Sequence, residues 1–589
     1  MSFVEKYLGR ARNKWDEKQW DKLPTLLAIP KLATIRDELR ENNLVDTGRS
    51  PASPPPGPAP EAPVRTADGS FTDVDDPAMG QAHTRFGRNL PLGAVYPEEP
   101  HQLMTPSPRE VSNRLLRRKA FVPATSLNLL AAAWVQFQTH DWFAHDNPAP
   151  GADAHDVPLP EGDPWPGGQM KIARTPVDPG WTAEEGKPPT YLNRVTHWWD
   201  ASQIYGSDLA TQHRIRSFEH GKLKVDANGL LPLDPATGVD ISGFTDNWWV
   251  GLSLLHTLFT WEHNAICDQL RVKHADWSDQ QLFDVARLIN AALIAKIHTI
   301  EWTPAILAHP TLEVAMNANW WGLAGEWVKR TLGRVGGNDV VGGIVGGEVD
   351  HHGAPFQMTE EFVTVYRMHP LMPDDFEFIA LHDNRTLMKR TLPEVAFRRA
   401  REVMEAVPMT DLVYSFGVVH PGALVLNNYP LHLLDIHLPD GRIVDLASTD
   451  ILRDRERGVP RYNQLRRLLR LKPVTSFEEM TDNPEWAKDL EAVYGDVERV
   501  DAMAGMFAET PPKGFGFSET AFRIFVLMAS RRLKSDRFFT DDFKPEVYTE
   551  EGIEWVNQTT MGTVLLRHCP ALMPALVGQE NAFKPWRRV

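Results

Sequence analysis

Helical periodicity constrains the fold of this chain more than any other feature of its sequence. The clearest example is residues 281–302, QLFDVARLINAALIAKIHTIEW, where apolar residues recur every three or four positions. Ser278 precedes this stretch and forms the capping-box pattern Ser-x-x-Gln with Gln281. Ser518, followed by Glu519, opens TAFRIFVLMASRRL in a similar way. Long alternating strand patterns are scarce, so we predict a mainly α-helical protein with a single large helical domain and long loops.

The first 64 residues differ in character from the rest of the chain. Residues 48–64, GRSPASPPPGPAPEAPV, form a proline-rich strap with too few large apolar side chains for a core. We therefore expect an N-terminal helical segment and proline-rich strap at 1–64 and one large helical domain at 65–589. Residues 1–45 are amphipathic and either pack on that domain or contact a membrane surface. The first apolar residues of this pattern are Phe3, Val4, Tyr7 and Leu8.

Composition excludes several classes of function. Of the 589 residues, 42% are hydrophobic and 24% are charged, as in ordinary globular proteins. The net charge of −16 argues against nucleic-acid binding, which requires clustered Lys and Arg. The two cysteines, Cys267 and Cys569, cannot build a disulfide framework, and no apolar run is long enough to span a bilayer. The N-terminus lacks the pattern of a signal peptide. We expect a cytoplasmic monomer, peripheral to a membrane at most through residues 1–45.

Residues 131–146, AAAWVQFQTHDWFAHD, combine an apolar helix with an unusual concentration of polar groups. Gln136 and His140 are four residues apart and therefore share one face of the helix. Asp141 follows His140 directly. A histidine on an apolar helix is more often a satisfied core residue than a functional group. The neighbouring Gln136 and Asp141 are what favour a functional site here.

Residues 359–376, TEEFVTVYRMHPLMPDDF, place a tyrosine and a histidine at a predicted helix end. Thr359 is a candidate N-cap, followed by two glutamates in the first turn. Tyr366 and His369 are three residues apart and share a face. Pro370 pushes His369 out of helical geometry. The imidazole can therefore reach out axially from the helix end, or it can form a Tyr–His hydrogen-bonded pair that closes a core.

Residues 450–463, DILRDRERGVPRYN, are unusually rich in charge. Alternating arginines and acidic residues usually form a solvated helix face. The tight sequence RDRERG, followed by Pro460 and Tyr462-Asn463, is harder to explain in that way. The pattern leaves open whether these charges are exposed or buried.

Residues 196–202, THWWDAS, place oxygen-bearing groups on alternate positions. A loop that wraps a hard cation such as calcium requires such an arrangement. Asp141 offers a further carboxylate from the position next to His140. The same alternation also fits a half-buried strand.

Together these segments resemble the peroxidase–cyclooxygenase superfamily, and within it the fatty acid α-dioxygenases. The superfamily motifs are WVQFQTHD, the loop T-x-W-x-D-x-S, WEHNAICDQL and RDRERGVPRYN. The α-dioxygenase motifs include THWWDASQIYGSD, AKIHTIEWT, NANWWGLAG, TEEFVTVYRMHPLMPD and GFSETAFRIFVLMASRRLKSDRFFTDDF. The resemblance extends from about residue 65 to residue 560 and implies the haem peroxidase fold of that superfamily.

The resemblance implies a haem b centre. His369 corresponds to the proximal ligand of the iron, His140 to the distal histidine, and Gln136 to the companion of His140. Tyr366 corresponds to the tyrosine that becomes a radical. These assignments come from the resemblance and not from spacing alone.

Two positions depart from mammalian peroxidases. Thr139 stands where those enzymes have an acidic residue that esterifies the haem, so we expect non-covalent haem. Asp450 stands where they have an asparagine bonded to the proximal histidine. A carboxylate there would increase the imidazolate character of His369 and favour high-valent iron.

The resemblance also implies a calcium site and a site for the substrate carboxylate. The calcium ligands would be Asp141, Thr196, the carbonyl of Trp198, Asp200 and Ser202. The carboxylate would be bound by His298, Thr303 and Arg532, with Arg537 as the alternative arginine. His298 and Thr303 are five residues apart, about 140° around an ideal helix. They converge only if they flank the ligand or if the helix bends, for example because of Pro304.

The function that follows from the resemblance is that of a fatty acid α-dioxygenase. A tyrosyl radical at Tyr366 would abstract the α-hydrogen of a fatty acid, and O2 would add to give a 2-hydroperoxy fatty acid, after activation by a peroxide. The alternatives are a haem peroxidase that oxidises small organic substrates and a non-catalytic haem-binding protein. The polar pair Gln136 and His140 argues against the second, and Tyr366 with the carboxylate set argues against the first.

Overall fold

A computed structural model describes residues 19–183, 187–438 and 441–589 of the chain. Helices form most of the regular structure in these ranges, and the strands form only two-stranded antiparallel ribbons. The ribbons are β1 (Thr84–Arg85) with β4 (Leu192–Asn193), β2 (Ala154–Val157) with β3 (Met170–Ala173), β5 (Asp375–Ile379) with β6 (Thr386–Thr391), and β7 (Ile436–His437) with β8 (Ile443–Val444). This architecture confirms the prediction of a mainly α-helical fold.

Thirteen of the helices in the described residues are labelled here, and other short helices lie between them. They are α1 (Thr25–Asn42), α2 (Leu129–Trp142), α3 (Val250–Lys273), α4 (Asp279–Ile297), α5 (Pro310–Trp321), α6 (Glu360–Val365), α7 (Arg398–Ala406), α8 (Met409–Val418), α9 (Leu446–Glu456), α10 (Pro484–Tyr494), α11 (Glu519–Lys534), α12 (Glu550–Gln558) and α13 (Met561–His568).

The starts of three helices follow the capping signals of the sequence. Ser278 and Gln281 form a reciprocal capping box at the start of α4. Thr359 caps α6 by accepting a hydrogen bond from the backbone N–H of Phe362. The side chain of Ser518 caps α11 in the same manner. These local interactions fix the ends of the helices on which the candidate site is built.

The core forms around a pair of long helices. α3 and α4 pack against each other, with α2 on α3 and α12 on α4. α1 and α6 both pack against α11. Most buried apolar side chains of the described residues belong to one contiguous cluster, and a smaller one surrounds Trp165.

The N-terminal helix α1 packs on the rest of the protein. It buries Leu32, Ile35 and Leu39 against α5 and α11, while Leu26 on its other side is exposed. The packed interpretation of this segment is therefore confirmed for α1. The apolar residues Phe3, Val4, Tyr7 and Leu8 lie outside the described residues. Within the described part of the chain, every helix is too short or too polar to cross a membrane.

Candidate active site

Helix α2 carries the predicted distal residues on one face. The amide of Gln136 is fixed by the loop before α3, since it accepts a hydrogen bond from Trp249 Nε1 at 2.8 Å and donates to the Asn247 carbonyl at 3.3 Å. His140 is buried, its ring packs 4.8 Å from that of Phe244, and its Nδ1 atom has no partner among the described residues. Burial lowers the pKa of His140 to about 4, so the imidazole is neutral near pH 7.

The predicted proximal residue, His369, lies just beyond the end of α6. The helix ends at Val365, and a short 3-10 turn begins at His369, as the following proline predicts. The His369 side chain is one-third exposed at 33%, and its Nδ1 atom lies 3.0 Å from Asp450 Oδ2. The ring is not aligned for a linear hydrogen bond to that oxygen. Because Nδ1 faces a carboxylate, Nε2 is the nitrogen available to a metal.

Asp450 is held in place from several directions. The Tyr429 hydroxyl donates to the same carboxylate oxygen at 2.9 Å, and Arg367 donates to the Asp450 backbone carbonyl. Burial alone would raise the pKa of Asp450, but His369 and Arg367 outweigh it and hold the pKa below its ordinary value. Asp450 is therefore an ionised partner of His369, which the sequence alone does not determine.

The charged segment that follows Asp450 is buried and paired. Arg455 makes a bidentate pair with Asp501, with both N–O distances at 2.7 Å. Glu456 accepts from His155 at 3.0 Å, and Asp454 pairs with Arg367. A solvated face is therefore the wrong interpretation of RDRERG, because its charges lie inside the protein and compensate one another.

A second buried group of polar side chains surrounds the ring of Trp142, the last residue of α2. Arg532 on α11 is 1% exposed, and its guanidinium lies 3.9 Å from the Trp142 ring centroid and 4.3 Å from that of Trp199. The Nε, Nη1 and Nη2 atoms of Arg532 have no hydrogen-bond partner among the described residues. Unpaired buried charges are rare in folded proteins and mark places where a ligand supplies the partner.

Tyr366 lies at the end of α6 in the same group. Its ring centroid is 5.2 Å from that of Trp142, and its hydroxyl is also without a partner in the described part of the chain. Burial raises the pKa of Tyr366 to about 12, although the positive charge of Arg532 opposes this shift. The phenol is therefore protonated and close enough to Arg532 to respond to its charge.

His298 completes the group from the C-terminal end of α4. Its ring stacks on Trp302 at 4.6 Å and meets Trp142 edge-on at 5.2 Å. Trp134 Nε1 donates to His298 Nδ1 at 3.2 Å, so the proton of the neutral ring is on Nε2, which has no partner among the described residues. Burial and the nearby charge of Arg532 hold the pKa of His298 well below its ordinary value. His298 is therefore a neutral donor.

A π-helical turn over His298–Trp302 brings His298 and Thr303 onto one side of the helix. Both the backbone N–H and the hydroxyl of Thr303 donate to the His298 carbonyl, the hydroxyl at 2.9 Å. An i to i+5 bond places these two residues above one another, which removes the 140° separation of an ideal helix. Pro304 favours the turn, because its ring cannot follow a regular α-helical turn. The Thr303 hydroxyl therefore has a hydrogen-bond partner, unlike the unpaired groups around Trp142.

The other arginines near Arg532 already have partners. Arg537 pairs with Asp542 at 2.8 Å. Arg531 donates to the carbonyls of Ala354 and Pro355 at 2.6 and 2.8 Å. Arg532 is therefore a better candidate for an anionic ligand than Arg537.

The residues predicted to bind calcium lie together, where Asp141 near the end of α2 meets the 196–202 loop, which is not a strand. Asp141 Oδ1 accepts from the backbone N–H and hydroxyl of Ser202 at 2.5 and 2.9 Å, and Asp200 accepts from Thr196 at 2.9 Å. Asp141 Oδ2 has no partner among the described residues. Burial and the neighbouring Asp200 raise the pKa of Asp141 well above its ordinary value.

Two further residues touch this loop. Arg287 lies 3.1 Å from Asp200 Oδ2 and supplies one compensating positive charge. Trp198 is buried, with its indole N–H bonded to the Met79 carbonyl. In the described residues no three His, Cys, Asp or Glu side chains cluster as metal ligands, so a cation here would depend on hydroxyl and carbonyl oxygens as well.

Sequence reasoning misses several residues that shape the site. Trp142, Trp199 and Phe362 form the aromatic walls around Arg532, and Arg367 and Tyr429 hold Asp450. The only signal for Trp142 is its position two residues after His140. The other contacts join residues that are far apart in the chain.

Comparisons with known proteins identify the family and the fold of this chain. The chain matches the family model described as animal haem peroxidase over residues 64–583. It is 39% identical to Alpha-dioxygenase 1 of Arabidopsis thaliana, over 100% of this chain and 93% of that protein. The crystal structure of fatty acid alpha-dioxygenase from Arabidopsis thaliana matches with a TM-score of 0.91 at 38% identity, covering 100% of this chain and 93% of that one.

A further solved structure that matches this chain contains a fatty acid. It is a tyrosine-to-phenylalanine variant of the Oryza sativa fatty acid alpha-dioxygenase with palmitic acid, with a TM-score of 0.91 and 36% identity, covering 100% of this chain and 97% of that one. The chain therefore belongs to the animal haem peroxidase family, a family of haem enzymes. Within that family it is a fatty acid α-dioxygenase, and so an oxidoreductase.

Proposed function

We propose that this enzyme holds the carboxylate of a fatty acid with Arg532 and His298, and that Tyr366 removes a hydrogen atom from the adjacent carbon. One observation carries the proposal: a buried guanidinium lies beside a tyrosine hydroxyl, and apart from each other neither group has a hydrogen-bond partner among the described residues. An arginine can bind both carboxylate oxygens at once, which fixes the orientation of the head group. The Oryza sativa enzyme with palmitic acid supports a long-chain acid as the ligand.

Haem fits the residues His369 and His140. His369 has one nitrogen beside Asp450, which leaves Nε2 for iron, and His140 has an unpartnered ring nitrogen. Residue 139 is a threonine, so it offers no carboxylate that could esterify the haem. Its hydroxyl donates to the Gln136 carbonyl. Haem, when bound, supplies the oxidising equivalent from a peroxide that converts Tyr366 into a radical. The neutral His140 takes up a proton from the peroxide, and Gln136 is fixed beside it.

The reaction at Tyr366 is a cycle of hydrogen-atom transfers. Tyr366 first loses one electron and its phenolic proton. The resulting radical breaks the C2–H bond of the fatty acid, taking the hydrogen atom and leaving a carbon radical. O2 forms a bond to that carbon, and the peroxyl radical takes the hydrogen atom back from Tyr366. The product is the 2-hydroperoxy acid, and the tyrosyl radical is restored.

The position of oxygenation follows from the head group. Arg532 and His298 both contact the ring of Trp142, and so does Tyr366. A carboxylate held by Arg532 and His298 has its neighbouring carbon nearest to Tyr366. Proximity of this kind, and not intrinsic C–H reactivity, would select C2. Thr303 acts through His298, because its hydroxyl holds the His298 carbonyl.

We also propose calcium binding by Asp141, Thr196, Asp200, Ser202 and the carbonyl of Trp198. Two adjacent buried carboxylates, one with an oxygen lacking a partner, fit a hard cation. The ion would tie the end of α2 to the 196–202 loop and neutralise Asp141. Added calcium should then raise the melting temperature of the parental protein and leave that of Asp200→Ala unchanged.

The test of the function is product analysis. The haem-loaded protein is given palmitic acid and ¹⁸O2 with a trace of hydrogen peroxide. We expect 2-hydroperoxypalmitic acid with both oxygen atoms labelled. Hexadecan-1-ol, which lacks the carboxylate, should remain unchanged. Oxidation of a small phenol without consumption of palmitic acid would instead identify a peroxidase and contradict the proposal.

A further inference from the structure

The indole of Trp142 has an unusual environment. The residue is fully buried at the C-terminal end of α2, where its ring contacts Arg532, Tyr366 and His298. Its Nε1–H has no acceptor among the described residues. Buried indole N–H groups usually find a partner, so this exception requires an explanation.

The neighbouring indoles provide the comparison. Trp134 Nε1 donates to His298 Nδ1 at 3.2 Å, Trp199 Nε1 to Gln138 Oε1 at 2.8 Å, and Trp302 Nε1 to the Ala131 carbonyl at 2.9 Å. The rings of Trp142, Trp199 and Trp302 contact the His298 ring directly. Trp134 contacts His298 through its hydrogen bond. Of these four indoles, the one without an acceptor is Trp142.

Each of the groups around Trp142 carries a hydrogen-bond donor, and among them only the Tyr366 hydroxyl can also accept. Arg532, the Nε2–H of His298 and the hydroxyl of Tyr366 are unpaired, and the indole adds another N–H. A carboxylate offers about four acceptor positions on its two oxygens. A bidentate Arg532 uses two of these positions and His298 a third, which leaves one for Trp142.

We propose that Trp142 is a further binding residue for the substrate carboxylate, to which its Nε1–H donates while its ring supports Arg532. This inference rests on the proposed function, because it assumes that the carboxylate lies against Arg532. The occupant is the head group of a long-chain carboxylic acid. The indole would then help to keep the head group turned so that C2 faces Tyr366.

Trp199 provides a matched control. Its ring also contacts Arg532 and His298, but its N–H is already bonded to Gln138. Palmitate affinity is measured by calorimetry in the haem-loaded Tyr366→Phe background, where turnover does not interfere. Trp142→Phe and Trp199→Phe both lose an indole that stacks on Arg532. Only Trp142→Phe loses a donor to the ligand.

We expect Trp142→Phe to weaken palmitate binding about tenfold more than Trp199→Phe, the effect of one hydrogen bond to a charged group. Trp142→His, which restores a ring N–H, should recover part of that loss. Binding of hexadecan-1-ol should change equally in the two phenylalanine variants. Equal losses of palmitate affinity in both variants would overturn the inference.

A crystal structure of the Tyr366→Phe variant with palmitate tests the same point without changing Trp142. A distance of about 2.7–3.2 Å between Nε1 and a carboxylate oxygen supports the inference. A carboxylate on Arg532 and His298 with Trp142 beyond hydrogen-bond reach overturns it, even if Trp142→Phe fails to fold. In that case the proposed function stands. A carboxylate bound away from Arg532 would instead contradict the proposed function.

Discussion

Two buried groups of charged side chains in this protein are compensated in different ways. Along α9, Arg455 pairs with Asp501, and Glu456 pairs with His155 and Arg453. Around Trp142, by contrast, Arg532 has no hydrogen-bond partner among the described residues. Both groups are almost inaccessible to water, so burial does not distinguish them.

The difference separates structural support from ligand binding. Removing one partner of a buried ion pair leaves an uncompensated charge, so the α9 group stabilises the folded chain only while it is complete. Under the proposed function, the Arg532 group is completed only by the carboxylate of a ligand. Asp450, the partner of His369, lies on α9 beside the paired group.

The largest difference between the two groups should be in oxygenation rate, when a tyrosine beside each group is changed to phenylalanine. Tyr366→Phe should retain haem and palmitate binding but lose oxygenation by about a thousandfold or more, equivalent to about 4 kcal/mol of barrier. The reason is that phenylalanine fills the same volume but cannot carry the hydrogen atom. Tyr429→Phe, which removes the hydroxyl bonded to Asp450, should keep oxygenation within about tenfold of the parental rate. Oxygen uptake with palmitate distinguishes them, and equal rates would remove Tyr366 from the mechanism.

The next largest effect should be on stability. Arg455→Met removes the bidentate partner of the buried Asp501, which keeps Arg461 and the Tyr494 hydroxyl, and should lower the free energy of unfolding by about 3 kcal/mol. Arg467→Met breaks an exposed pair with Glu498 and should cost about 0–1 kcal/mol. Thermal and urea denaturation measure both. A similar small loss in the two variants would mean that the α9 pairs do not support the fold.

Arg532→Met should weaken ligand binding without lowering the stability of the protein. Palmitate affinity should fall about ten- to a hundredfold, the worth of one charge-assisted interaction. The melting temperature without ligand should stay constant or rise, because a buried charge without a partner is removed. Arg537→Met, in an existing pair with Asp542, serves as the control and should leave palmitate affinity unchanged. A loss of stability as large as that of Arg455→Met would show that Arg532 has an internal role.

The smallest effect concerns acid stability in the α9 group. Burial alone would raise the pKa of Glu456, but His155 and Arg453 hold it at about 2, below its ordinary value near 4.5. The stability from this carboxylate is therefore present above pH 4.5 and is lost as the pH falls toward 2. Glu456→Gln should melt below the parental protein at pH 7, and the gap should narrow between pH 4.5 and pH 2. A gap that is independent of pH would exclude the ion pair as its cause.

Local signals in the sequence predict much of this structure. The capping box at Ser278, the cap at Thr359 and the helix end before His369 are confirmed, because each depends on residues a few positions apart. The family and the mainly helical fold are also confirmed. By contrast, the sequence does not predict the hairpin β2–β3, because its surroundings are rich in Pro, Gly and Asp; the strands pair where Val157, Met170 and Ile172 pack with Trp165.

Other features depend on contacts that sequence patterns do not encode. The partner of His369 is Asp450, on another helix, and the walls around Arg532 come from α2 and the 196–202 loop. The turn at His298 is π-helical, a deviation that ideal helix geometry does not predict. The roles of these residues toward haem, calcium and substrate stay predictions.

Under the proposed function, the donors around Trp142 hold a fatty acid so that its C2–H bond faces Tyr366. The most direct test is oxygen uptake by the haem-loaded parental enzyme with palmitic acid deuterated either at C2 or at C3. We expect slower uptake with the C2-deuterated acid, loss of one deuterium from C2, and an unchanged rate with the C3-deuterated acid. Slowing by deuterium at C3 alone, or oxygenation without loss of deuterium from C2, would contradict the removal of a C2 hydrogen atom by Tyr366.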